Sequence, residues 1–256
     1  MSSVINTNVK SMFASAALST NERQMSVAMN QLSTGKRTFS ASVDAAGLAL
    51  ADKLTSQIRG TQMAVKNIND GISFLQTAEG ALNEITNMGQ RMYELAVQLE
   101  NGTLDSDQQA SIETEMDDLG TAIDDIVTNT TWNDTVTAGY SISLTIAGDG
   151  TTDTFSVTAL GTTPTSASAA SAISTFLATV ATQRGEAGSA INRLGYMADN
   201  LSNLAANLSA SRSRTMDTDY ASASAELART QIIQQAATAM LAQANQSSQS
   251  VLSLLK

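Results

Sequence analysis

Apolar residues along this 256-residue chain recur at intervals of three, four and seven over most of its length. That spacing lines one face of an α-helix. Leu18, Met25 and Leu32 repeat at seven, and Gly35 in LSTGK supplies a helix stop. After the polar, small-residue stretch TFSASVDAAG, Leu82, Ile85, Met92 and Leu99 keep the helical spacing, with Gly89 and Ala96 filling the intervening positions. Ser106 with Gln109 reads as a capping box that opens a helix with the stripe Ile112, Met116, Leu119, Ile123 and Ile126. Heptad spacing sustained this long predicts coiled-coil-like packing from residue 1 to about 127.

The period changes between about 128 and 172, where Thr, Ser and Gly dominate. Tyr140, Ile142, Leu144 and Ile146 alternate, as do Phe155, Val157 and Ala159, and GDGTTD between them reads as the turn of a β-hairpin. Asp149 and Asp153 lack the EF-hand ligand pattern, so the turn is favoured over a calcium site. Helical spacing returns from about 173, with Leu194, Met197, Leu201, Leu204 and Leu208. SRSRTMDTD interrupts it, and Asp217 or Asp219 is placed to cap a last helix. The stripe of that helix is Ile233, Ala237, Met240, Ala244, Ser247, Val251 and Leu254, running into the ending SVLSLLK with its further Leu255. The expected fold is mainly α: a long helical coiled-coil rod formed by the N- and C-terminal segments, with a small central β-hairpin region.

The last helix cannot stand alone. Four sizeable apolar side chains contribute roughly 1.5–3 kcal/mol each when buried. Ordering two dozen residues costs about 1–2 kcal/mol apiece in backbone entropy. The first helix, near residues 5 to 34, is the natural partner. A pair rich in Ala, Ser, Gln and Met still leaves apolar surface over, which points to other copies of the same chain.

Composition narrows the chemistry. Apolar residues make up 42% of the chain but aromatics only 4%, a mixture suited to long helices packed through small side chains. There is no cysteine and no histidine, which removes disulfides, thiolate zinc sites, Ser-His-Asp triads and the HExxH motif. Any catalysis would have to run on carboxylates, lysines or hydroxyls, and no catalytic residue, metal ligand or cofactor site stands out. Between Arg91 and Arg184 there is no Lys or Arg, while thirteen of the carboxylates behind the net charge of −10 fall between Glu94 and Asp153. Such a stretch repels a phosphate backbone, so no nucleic-acid partner is expected. No apolar run approaches the ~20 residues of a bilayer span. The opening MSSVINTNVK also lacks the regions of a cleavable signal peptide, implying a cytoplasmic protein or export by a route that reads no such signal.

The chain resembles bacterial flagellin. SSVINTN, QLSTGKR, DAAGLALADKLTSQIRG, NINDGISFLQTAEGALNEI and QRMYELAVQ are similar to the N-terminal region of that family. ASRSRTMDTDYASASAELARTQIIQQAATAMLAQANQSSQSVLSLLK is similar to its C-terminal region. The resemblance implies a subunit that self-assembles into the flagellar filament for swimming. Residues 1–40 with 218–256 would form an inner terminal coiled coil, disordered in the free monomer. Residues 45–127 with 173–210 would form a helical rod, and 128–172 a short exposed hairpin and Ser/Thr-rich loop without outer domains. Segments 35–45 and 210–217 would connect the two layers. TWNDTVTAG stands where relatives commonly carry a Phe-Asn-Gly type of sequence.

The resemblance also implies type III export, an extracellular location, an export chaperone at the C-terminal helix, and filament-cap and hook-associated partners. The expected self-assembly residues are Leu18, Met25, Leu32, Ile233, Met240, Val251, Leu254 and Leu255. Arg91, Leu95 and Glu115 lie where some flagellins engage a Toll-like innate receptor; packing between subunits is the competing reading for them. A hook–filament junction protein shares the terminal style, and a soluble coiled-coil adaptor shares the heptads but not the matched blocks.

Overall fold

The computed structural model describes residues 8–136, 141–146, 151–156, 160 and 163–253. It is mainly α, as the periodicity predicts. Helices α1 (Val9–Thr34), α2 (Ala45–Leu99) and α3 (Ser106–Asn129) come first, followed by two antiparallel hairpins. These are β1 (Thr131–Trp132) with β2 (Thr135–Val136), and β3 (Ser141–Thr145) with β4 (Thr152–Ser156). Helices α4 (Ala170–Met216) and α5 (Tyr220–Ser253) complete the described chain.

The chain divides into two compact units, residues 1–55 with 209–256 and residues 56–208. In the first, α1 and α5 run antiparallel: Asn8 Nδ2 donates to Ala244 O at 3.3 Å, and Asn21 Nδ2 to Thr230 O at 2.8 Å. Helix α1 ends at Gly35, whose φ of +69° is the left-handed conformation that glycine adopts without penalty. Beyond it the connecting segments meet in a single antiparallel bridge, Lys36 with Asp217. Arg37 N donates to Met216 O at 2.7 Å and Thr218 N to Gly35 O at 3.0 Å. SRSRTM does not interrupt α4 but forms its end, since none of these residues breaks a helix and Thr215 Oγ1 bonds back to Ser211 O. Asp219 then caps α5 by accepting from Ala221 N at 3.0 Å.

The second unit holds the large apolar core. Phe74, Leu75, Leu82, Ile85, Met92, Met116, Ile123, Ile173, Val180 and Leu194 are fully buried there. Helix α3 is opened by a reciprocal capping box, but its members are Asp105 and Gln108, one residue before the Ser106–Gln109 pair expected. Both pairs have the right spacing; the carboxylate is the better acceptor at a positive helix N-terminus. Asn133 and Asp134 turn β1 into β2 with φ of 49° and 62°, a two-residue loop of the kind that matches strand twist. Trp132 meets Phe74 edge-on at 6.2 Å.

In the second hairpin Ile142 pairs with Phe155 and Leu144 with Asp153. Leu144 lies so close to α2 that a Cβ on Gly71 would fall 2.2 Å from it. Asp153 pairs with Arg193 of α4, whose guanidinium also sits 4.5 Å from the centre of the Phe155 ring. Tyr140, Val157, Ala159 and the first half of the GDGTTD turn lie outside the described residues.

Candidate assembly surface

Along α1 the positions turned toward α5 are Ser11, Ala14, Leu18, Asn21, Met25, Ala28 and Leu32, in strict three-four alternation. On α5 they are Ala223, Leu227, Thr230, Gln234, Ala237, Leu241 and Ala244. Side chains this small let the helices approach closely, but few of them are large enough to bury much apolar area. Asn21 is buried at the centre of the seam, and its Oδ1 accepts no hydrogen bond from the described residues.

Several other large apolar side chains lie outside the seam. Phe13 is 74% exposed, Ile232 67%, Met240 64% and Ile233 43%, with Val9, Met12 and Met29 exposed as well. Leu18, Met25 and Leu32 are half-buried in the seam, so the structure separates the expected assembly residues into two groups. Val251 lies in α5, while Leu254 and Leu255 fall outside the described residues. Beside the seam, Arg23, Gln24, Val27, Ala28, Gln31 and Glu226 line a shallow hollow of about 280 Å³. Sequence reasoning missed Phe13, the sole aromatic of α1. Its signal was available: a large apolar residue out of phase with the Leu18 heptad.

In the second unit Arg91 and Glu115 come together across α2 and α3. Arg91 Nε and Nη2 both donate to Glu115 Oε1, at 2.9 and 2.8 Å, and Nη1 reaches Glu94 Oε2 at 3.3 Å. The hydrogen bonds to Glu115 raise the Arg91 pKa further above its ordinary value. The cluster is exposed. Leu95 does not share that surface; only 2% exposed, it faces the core. No group of three or more acidic, His or Cys residues able to hold a metal occurs among the described residues.

Two blocks of helix flanking a short central region are also what comparison with known proteins finds. The family model for the bacterial flagellin N-terminal helical region matches residues 5–136, and that for the C-terminal helical region matches residues 170–255. The chain belongs to the bacterial flagellin family. It is 41% identical to the flagellin of Halalkalibacterium halodurans, over 99% of this chain and 100% of that one. It is 36% identical to the flagellin of Bacillus subtilis, over 98% and 99%. With the flagellar filament 33 kDa core protein of Treponema phagedenis the identity is 35%, over 99% and 100%. Full-length agreement with flagellins identifies the chain as a structural subunit of the flagellar filament, serving motility, and as one that self-polymerises into it.

Proposed function

We propose that assembly works through a division of labour between the two faces of the terminal helices. The seam residues Leu18, Met25 and Leu32 align α1 with α5. The outward residues Ile233 and Met240, joined by Phe13 and Ile232, enter neighbouring subunits. Val251, Leu254 and Leu255 extend that adhesive stripe. Residues 1–40 with 218–256 form the inner coiled coil, 45–127 with 173–210 the rod, 35–45 and 210–217 the connections, and 128–172 the exposed part.

The observation that carries this reading is the pattern of the terminal unit: the seam is made largely of small and polar side chains with Leu or Met at five positions, while Phe13, Ile232, Ile233 and Met240 stand in water. A contact that is heterologous and non-closing gives a helical filament. The subunit leaves the cell through a type III apparatus that reads no cleavable signal and joins an extracellular filament. An export chaperone covers α5 before export, and filament-cap and hook-associated proteins meet the same ends. Arg91 and Glu115 form an exposed polar surface for a Toll-like receptor or for a neighbouring subunit, with Leu95 supporting it from beneath.

Seeded polymerisation of purified monomer, followed by negative-stain electron microscopy, tests the reading. The full chain gives long uniform filaments, whereas a variant lacking residues 233–256, and the double variant Ile233→Asp with Met240→Asp, give none. Filaments of normal length from the double variant would refute the role of the outward face. Short caps in place of filaments would indicate a junction protein.

A further inference from the structure

The turn between α2 and α3 contains the sole Asn-Gly dipeptide of the chain, Asn101–Gly102. Both residues are exposed to water. The Gly102 N–H makes no hydrogen bond among the described residues, whereas Asn101 N donates to Gln98 O and Leu104 N to Asn101 O. The Asn101 carboxamide is held by its neighbour: Oδ1 accepts from Thr103 N at 3.3 Å and from Thr103 Oγ1 at 3.0 Å. A free main-chain nitrogen is thus next in sequence to a carbonyl carbon whose oxygen is polarised by two donors. Donors aimed at an oxygen that gains negative charge lower the barrier to attack on its carbon.

We propose that Asn101 is a site of spontaneous deamidation driven by Gly102 and promoted by Thr103. The Gly102 nitrogen loses its proton to solvent and attacks Asn101 Cγ, forming a C–N bond, and charge develops on Oδ1 under the two Thr103 donors. The Cγ–Nδ2 bond then breaks, ammonia leaves with the protons it gains from water, and a five-membered succinimide remains. Water opens the ring at either carbonyl, giving aspartate or isoaspartate. The balance is one amide and one water converted to one carboxylic acid and one ammonia, with no change of oxidation state.

Glycine is the residue that least obstructs the ring closure, because it has no Cβ to limit backbone rotation. The product adds a negative charge between Glu100 and Asp105. In the isoaspartyl form Cγ enters the main chain, so the Asn101 carbonyl that receives Leu104 N–H is displaced.

The test uses full-length protein aged at neutral pH and digested with a Glu-specific protease, because no Lys or Arg lies between Arg91 and Arg184. Mass spectrometry follows the peptide carrying Asn101, and isoaspartyl methyltransferase labelling identifies the branched product. Asn69–Asp70 in α2 and Asn133–Asp134 in the β1–β2 turn serve as internal references. Asn101 gains one mass unit with first-order kinetics, incorporates the methyl label, and converts faster than both references. Gly102→Ala slows it by about tenfold, equivalent to about 1.4 kcal/mol of barrier. That variant keeps its fold, since a Cβ at Gly102 meets nothing within 4 Å. Thr103→Val slows conversion severalfold and Thr103→Ser restores it. Persistence of the Asn101 amide for as long as that of Asn69 would overturn the proposal, and an unchanged rate in Thr103→Val would remove Thr103 from it.

Discussion

Single residues set the punctuation of this fold, and some of it can be read directly. Gly35 is legible because one conformation, φ of +69°, ends α1, and the apolar repeat stops just before it. Gly35→Ala is expected to destabilise the end of α1 by about 1 kcal/mol. The new Cβ would also sit 3.0 Å from Tyr220 Oη. Amide exchange along the last turn of α1 measures the loss. Asp105 is harder to read. It lies one residue before a serine with equally good spacing, and only the carboxylate's charge decides between them. Asp105→Ala should cost about 1 kcal/mol, seen as a lower urea midpoint, with Ser106→Ala nearly neutral. The Asn133–Asp134 turn left no trace in the periodicity, since strands of two residues are too short to alternate.

At the scale of elements, long helices declared themselves wherever the apolar stripe faces the subunit's own core. Leu82, Ile85, Met92, Ile112, Met116 and Ile123 are all buried as their spacing predicts. Helix α5 behaves differently. Of its stripe, Ala237 and Ala244 lie on the face toward α1 with Ala223 and Thr230, while Ile233 and Met240 are exposed. Hydrophobic periodicity finds the side that seeks burial, and in a polymer that side belongs partly to the next molecule. The same ambiguity covers Arg91, Leu95 and Glu115: resemblance to other flagellins grouped them, but only folding showed Leu95 turning inward. Arg91→Ala with Glu115→Ala removes an exposed cluster, so a folded monomer with altered receptor or subunit affinity is the expected result. Binding measurements on monomer and polymer separate the two.

For the whole molecule, the two units differ in what holds them. Residues 56–208 enclose aromatic and branched side chains in one continuous cluster, whereas the terminal unit joins its helices mostly through small and polar side chains, with Leu or Met at five seam positions. Hydrogen exchange on the monomer should therefore show slow amides in α3 and in the buried stretches of α2 and α4, and fast amides along α1 and α5. Polymerisation should slow the second set strongly and the first only slightly. Equal protection in the two units of the free monomer would contradict this picture. The small-residue seam has a further thermal consequence. Heat-capacity change follows the apolar area removed from water, and closing this seam removes little. Pairing of α1 with α5 thus contributes only a shallow temperature dependence, while the proposed insertion of Phe13, Ile232 and Met240 into neighbours would contribute a steep one. On that proposal, warming from the cold should strengthen the contacts between subunits more than the pairing of α1 with α5.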